Sequence, residues 1–289
     1  MMSASAQTVC GSVVALWRYP VKSMMGEELN AAEFTQGGLL GDRAYALVDG
    51  SDGKVASAKN PRKWPTLFDF RAALADAPGT GTTMPPVRIT LPDGIFVGSE
   101  QPDIDQILSS ALKRPVTLEA AERGHQGTAE SSTRHAPVAT AEEYWPDMEG
   151  LEHRGAVTDF DLPQGTFFDA ASVHVLTTAT LDRLRALYPQ GRFEVRRFRP
   201  NVVIETANGG TAFVENAWIG RTLAIGDAVR LSITGPCPRC VTTTPAQGDL
   251  PRDARILRTA AQHNQANVGI YASVLQGGRV RRGDSVSLE

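Results

Sequence analysis

Two short corners constrain the fold more than any other feature of the sequence. Ile225-Gly-Asp-Ala-Val-Arg-Leu231 and Arg282-Gly-Asp-Ser-Val-Ser-Leu288 each set a Gly-Asp turn before an alternating apolar and polar run. A turn feeding an alternating strand is the kind of corner that closes a small barrel. Two such corners are too few for a repeat architecture. The other apolar runs are as short. Ser12 to Trp17, Glu27 to Phe34, Arg43 to Val48, Leu67 to Leu74, Val87 to Leu91 and Val116 to Leu118 read as strands in the first half. Ser172 to Leu176, Asn201 to Glu205, Arg221 to Ile225 and Val268 to Leu275 do so in the second.

Helical spacing is confined to three places. Asp103 to Leu112 puts Ile104, Ile107, Leu108 and Ala111 on one face. Leu181, Leu184, Leu187 and Tyr188 form the stripe of a second helix, which Thr178 or Thr180 can cap. Arg252 to His263 is the third. The fold expected is mainly β with some α, built as two β-barrel-like domains with a few helices each.

Between Glu122 and Gly165 periodicity dissolves into Gly, Ser, Thr, His, Glu and Pro. A loop of that length inside one compact domain is uncommon, so the stretch reads as a crossing between domains. The expected division is an N-terminal domain over 9–121, a crossing over 122–165 and a second domain over 166–289. His125, His135 and His153 lie in the crossing at spacings that match no ligand motif, and read as solvated loop residues.

Size and charge bound the function. A chain of 289 residues suits two domains. A net charge of -3 leaves no footprint for nucleic acid. No apolar run is long enough to span a membrane, and Met1 to Thr8 has no basic leader region. Three cysteines, an odd count with one close pair, argue against a disulfide scaffold. A cytoplasmic protein is expected. The absence of a Gly-x-Gly-x-x-Gly or phosphate-loop pattern sets aside a Rossmann dehydrogenase or P-loop enzyme.

The chemistry concentrates in Thr234-Gly-Pro-Cys237-Pro-Arg239-Cys240-Val-Thr-Thr-Thr244. Ala228 to Ile233 before it alternates as a strand, and Val241 with three threonines favours extended backbone up to Pro245. The cysteines then sit on a stiff loop between two strands, and Arg239 should lower a neighbouring thiol pKa. A zinc site wants four ligands, and Cys10 is the only further cysteine. A thioredoxin-like dithiol wants a helix after the first cysteine. Two inert buried thiols fit poorly with the arginine between them. A soft metal held by one thiolate suits the residues present.

A set of cations surrounds that reading. Lys22 and Ser23 end the first strand, Arg43 opens the third, and Arg199-Pro200-Asn201 introduces a second-domain strand. Pro200 should hold Arg199 extended, with Asn201 on the same side two residues later. Arginine forks, a lysine and a hydroxyl together suit a phosphate group.

Four ordered motifs, Tyr19-Pro-Val-Lys-Ser23, Gly41-Asp-Arg43, Phe198-Arg-Pro-Asn201 and Cys237-Pro-Arg-Cys240-Val-Thr-Thr243, resemble those of the MOSC proteins. In that family an N-terminal β-barrel domain precedes a molybdenum cofactor sulfurase C-terminal domain. The nearest resemblance is to the amidoxime-reducing branch. It implies a molybdenum-molybdopterin cofactor held between the domains, with Cys240 as the metal ligand. Lys22, Ser23, Arg43, Arg199, Asn201 and Arg239 would contact the cofactor, and Asp169 would be an acidic residue beside the metal. Where family members often carry hydroxyl residues after that aspartate, this chain has Ala170-Ala171.

The implied activity is reduction of N-hydroxylated compounds such as amidoximes, hydroxylamines and N-hydroxylated bases. Asp169 would relay a proton and Cys237 would be a spectator or redox modulator. No Cys-rich segment for an iron–sulfur cluster occurs, which implies a separate electron-donor protein of ferredoxin, cytochrome or flavin-reductase type. The alternative is a cofactor-binding or sulfur-carrier protein with a persulfide on Cys240.

Overall fold

The computed structural model describes residues 8–121, 139–148, 153–207 and 209–289. His125 and His135 lie outside the described residues. The first half contains β1 (Thr8–Arg18), β2 (Glu27–Leu29), β3 (Ala31–Thr35), β4 (Gly38–Leu39), β5 (Tyr45–Asp49), β6 (Arg71–Leu74), β7 (Val87–Thr90), β8 (Phe96–Gly98), α1 (Ile104–Leu112) and β9 (Val116–Ala120). A hairpin of β10 (Thr140–Tyr144) and β11 (Val157–Asp161) follows.

The second half runs through β12 (Val173–Thr177), α2 (Thr178–Leu187), α3 (Val195–Phe198), β13 (Val202–Thr206), β14 (Thr222–Ile225) and β15 (Val229–Pro238). It ends with α4 (Arg255–Asn264), β16 (Asn267–Gln276), β17 (Gly278–Arg281) and β18 (Ser285–Leu288). The chain is mainly β with few helices, as its short alternating runs predict.

The two Gly-Asp corners do close a barrel. Strands pair in the order β13-β12-β16-β15-β14-β18-β1, and β1 pairs back onto β13 to complete a seven-strand ring, with β2 appended to β1. β14 and β18, at the corners, pair with each other antiparallel. β12 and β13 pair parallel, because α2 and α3 carry the chain across between them. The interior is filled from alternate positions: Val229, Leu231 and Ile233 of β15 are buried while Arg230 and Ser232 between them are partly exposed. Each such aliphatic side chain contributes about 1.5–3 kcal/mol on burial.

β1 lies within the span expected for the N-terminal domain, yet its partners β13 and β18 come from the far half of the chain. β3 likewise pairs with β17. What remains of the first half packs on a second core around Met24, Trp64, Phe70, Ile89 and Leu108, with sheets β6-β7-β8 and β5-β9 and helix α1.

Several local readings change. Glu27 to Phe34 breaks at Asn30 into two strands with different partners, β2 against β1, and β3 against β4 and β17. Leu67–Asp69 is a turn of 3-10 helix that buries Leu67 and Phe68 before β6 begins. Helix α2 is capped by Thr177, whose hydroxyl accepts from the Thr180 amide at 3.2 Å. Part of the aperiodic crossing is ordered as β10 and β11, and Val55 bridges Ala141 to fasten that hairpin to the first half.

Candidate active site

The cysteine segment departs from the expected loop between strands. β15 continues through both prolines to Pro238, with register shifts between Ile233 and Gly235 and between Pro236 and Pro238. These bulges accommodate prolines that a regular ladder would reject. Val241–Thr243 then turns as 3-10 helix instead of extending. The threonine hydroxyls explain it: Thr243 Oγ1 donates to the Cys240 carbonyl at 3.1 Å and Thr244 Oγ1 to the Val241 carbonyl at 2.9 Å. Local hydroxyl-to-backbone bonds outweigh the β propensity of threonine.

The two thiols consequently face different surroundings. Cys237, inside the strand, is fully buried and accepts from Arg239 Nη1 at 2.8 Å. Burial pushes its pKa up, but the Arg239 guanidinium, with His174 beyond it, brings the thiol down to about 6. Cys240, at the start of the turn, is half-buried and borders a cavity; its thiol lies 3.3 Å from Thr242 Oγ1. Burial raises its pKa, and the ammonium of Lys59 opposes that shift. The arginine between the cysteines thus acts chiefly on Cys237, which it hydrogen-bonds, and less on the thiol at the cavity.

That cavity, of about 310 Å³, brings together all eight residues singled out in the sequence: Lys22, Ser23, Arg43, Asp169, Arg199, Asn201, Arg239 and Cys240. Arg199 arrives by a different route from the one its neighbours suggest. It is left-handed, not extended, at φ 53°, because it terminates α3 and its amide bonds the Val195 carbonyl at 3.2 Å. A proline just past a helix end favours such a stop. Ser23, Arg43 and Ala266 also have positive φ and also border the cavity; only two other non-glycine residues do so among those described. Left-handed backbone costs roughly 1–2 kcal/mol per residue, so strain is concentrated at this cavity. Gly269 (φ +82°) serves it too, since a Cβ there would come within 2.3 Å of His174 Nε2.

A tyrosine organises the arginines. Tyr19 is fully buried, with the Arg199 guanidinium 4.2 Å and the Arg43 guanidinium 4.6 Å from its ring centre. Arg199 Nη1 also donates to the Met24 carbonyl, and Arg43 pairs with Asp42. Asp42 further accepts from the Tyr19 amide at 2.7 Å and from Asn201 Nδ2 at 2.9 Å. Asn201 Oδ1 takes the His174 amide at 3.0 Å, so that side chain ties the two halves together. Burial, followed by repulsion from Arg43, lowers the Arg199 pKa to about 9. A buried guanidinium with so little counter-charge calls for an anion. Arg239 Nε, buried without a partner, adds a further unsatisfied donor.

Asp169 occupies the same cavity but is already engaged. It pairs with Lys22 and lies 3.8 Å from Lys59 Nζ. Burial would raise its pKa, but Lys22 and then Lys59 hold the carboxyl well below the usual range. It is therefore ionised near neutral pH. Burial depresses the pKa of Lys22, which also donates to the Phe167 carbonyl at 2.9 Å. Lys59 reaches Glu143 at 3.2 Å. The sequence alone assigns no role to Tyr19, Asp42, Lys59 or Glu143. Asp42 adjoins Arg43 within a motif, whereas nothing around Lys59 or Glu143 forms a pattern.

Residues 10–115 match the family described as MOSC N-terminal beta barrel domain, and residues 163–287 match the MOSC domain. The chain belongs to the MOSC proteins. This MOSC protein is 25% identical over 299 residues to mitochondrial amidoxime reducing component 2 of Macaca fascicularis, covering 96% of this chain and 83% of that one. The Homo sapiens protein of the same name matches at the same identity and coverage. Among solved structures, the YUAD protein from Bacillus subtilis covers 98% of this chain and 96% of its own at 11% identity and a TM-score of 0.44, too low to argue from. No helix among the described residues of the MOSC protein is long and apolar enough to cross a membrane.

Proposed function

We propose that this MOSC protein is an oxidoreductase that reduces N-hydroxylated compounds by means of a molybdenum-bearing pterin cofactor in the cavity beside Cys240. One observation carries the reading: a half-buried thiol shares a cavity with the buried Arg199 guanidinium and the partly exposed Arg43 guanidinium, which have Asp42 as their near carboxylate. The donor set suits such a group. Among the described residues no three His, Cys, Asp or Glu side chains cluster to hold a metal by themselves, so a metal here needs a carrier that supplies the other ligands. Arg199, Arg43 and Ser23 would hold the carrier's phosphate, Arg239 Nε offers its unpartnered N–H, and Cys240 Sγ would ligate the metal. Bound there, the cofactor supplies two-electron redox chemistry.

Converting an N–OH group to N–H consumes two electrons and two protons and releases water. The electrons come from a separate donor protein, a role in keeping with the names of the relatives. For the protons, an ionised Asp169 does not suit the part of immediate donor. An ionised carboxylate can accept and orient, and the acidic proton beside it sits on Lys22 Nζ, the ammonium that burial makes easier to deprotonate. Asp169 fixes that ammonium, and a proton from solvent restores Lys22 after each transfer.

The test is elemental analysis of the purified protein and of Cys240→Ala, together with turnover of benzamidoxime by a reduced viologen dye. About one molybdenum per wild-type chain with turnover, both lost in the variant, is expected. A persulfide on Cys240 without turnover would overturn the reading in favour of a sulfur carrier.

A further inference from the structure

The cavity has a second character away from its cations. Trp145 and Pro146 border it just beyond β10, along with Phe167 and Phe168. Trp145 is only partly buried, yet it is held on every side that is bonded. Its indole Nε1 donates to Thr158 Oγ1 at 2.7 Å, and the His153 ring meets it edge-on at 5.5 Å between centres. Its amide donates to the Ala156 carbonyl at 2.9 Å and its carbonyl accepts from Gly155 at 2.9 Å. The hairpin is in turn anchored to the first half through the Tyr144 amide and the Lys59 carbonyl at 2.8 Å. A large flat ring fixed in this way loses little entropy when something stacks on it.

Charge at this end is balanced within the protein. The Lys59 ammonium lies between Glu143 at 3.2 Å and Asp169 at 3.8 Å, so no lone cation or anion invites a charged ligand. The arginine end favours an anion; the tryptophan end favours a neutral, flat, apolar surface.

We propose that Trp145 is a specificity-determining residue, a stacking wall that selects N-hydroxylated substrates bearing an uncharged aromatic ring. The assignment rests on the reductase reading above. The ordered part of the crossing thereby gains a function, since β10 and β11 hold a rigid ring at the border of the cavity. His153, read from sequence as a solvated loop residue, buttresses that ring.

The experiment compares Trp145→Ala and Trp145→Phe with the wild-type holoenzyme, using benzamidoxime and N-methylhydroxylamine as separate substrates. For Trp145→Ala, the KM for benzamidoxime should rise about tenfold relative to that for N-methylhydroxylamine, in the range of a lost aromatic stack. Trp145→Phe, which keeps an aromatic face, should restore most of the preference. Equal changes for both substrates, or none, would overturn the proposal and leave the reductase reading standing. If Trp145→Ala does not fold, Thr158→Val frees the indole edge and should weaken the same preference.

A second readout needs no turnover. Benzamidoxime should quench the intrinsic fluorescence saturably in the wild type and not in Trp145→Phe, which retains the other three of the four tryptophans. Saturable quenching without turnover of either substrate would sink the reductase reading while supporting the aromatic subsite. Absence of quenching in the wild type would sink the subsite.

Discussion

The two sides of the cavity solve opposite electrostatic problems. On the side contributed by the cysteine segment, Arg239 and Cys237 form their own pair, and the charge of each is met by the other. On the side contributed mainly by the first half, Arg199 and Arg43 share one tyrosine ring and one nearby carboxylate, Asp42. In the first arrangement the charges are met within the protein, with Arg239 Nε alone left over, and the pair stiffens the strand end that leads to Cys240. The second is incomplete, and its missing charge is what a phosphate brings. A self-satisfied ion pair marks structure, and an under-satisfied one marks a binding site.

Experiment can collapse this contrast or make it sharper. The largest effect belongs to Cys240→Ala, which removes the thiol at the cavity; molybdenum content and turnover should both fall by more than about a hundredfold, beyond the loss typical of an outer-shell group. Arg199→Gln comes next. Loss of a charged hydrogen-bond donor should weaken cofactor retention by about tenfold to a hundredfold, read as cofactor remaining after gel filtration. Inorganic phosphate should also raise the melting temperature of the cofactor-free wild type and not that of the variant.

Cys237→Ala should act on the other side and differently. It leaves the partly buried Arg239 Nη1 without its acceptor, so unfolding in urea should show a loss of about 1–3 kcal/mol with a smaller effect on turnover than the Arg199 change. A Cys237→Ala protein that is as stable as the wild type would erase the distinction between the two sides.

The same pair also predicts a pH dependence. Cys237 titrates at about 6 when folded, against an ordinary thiol value of 9.0. Between those values the unfolded chain binds a proton that the native chain does not, so stability should rise with pH across that window. The contribution is fully present above about pH 9 and is lost as pH falls through about 6. In Cys237→Ala the slope should flatten.

The sequence disclosed the barrel and its site unevenly, for physical reasons. Alternation in β15 and the Gly-Asp corners reported directly on burial, so the closing strands were legible. The partner of β1 was not, since nothing in Ser12 to Trp17 states which distant strand it will meet. Arg199 is marked by composition and neighbours, but its backbone is not, because α3 is only one turn long and leaves no periodic trace. The threonines after Cys240 carry β propensity in their side chains and turn chemistry in their hydroxyls, and tertiary context selected the latter. Lys59, Glu143 and Trp145 converge on the cavity from segments without motifs, so only folding reveals that they meet.

The seam between β1 and its neighbours has a kinetic consequence. Synthesised in order, the β1 positions that meet β13 and β18 must remain unpaired while more than half of the chain emerges, since only the end of β1 finds its partner, β2, early. Closure of the ring therefore waits on pairings of very high sequence separation, which fold slowly and leave an edge open to foreign strands meanwhile. The cavity inherits that timing: Asn201, which follows α3 and precedes β13, and Lys22, which follows β1, are brought together by the same seam. Anion binding can thus report directly on whether the ring has shut.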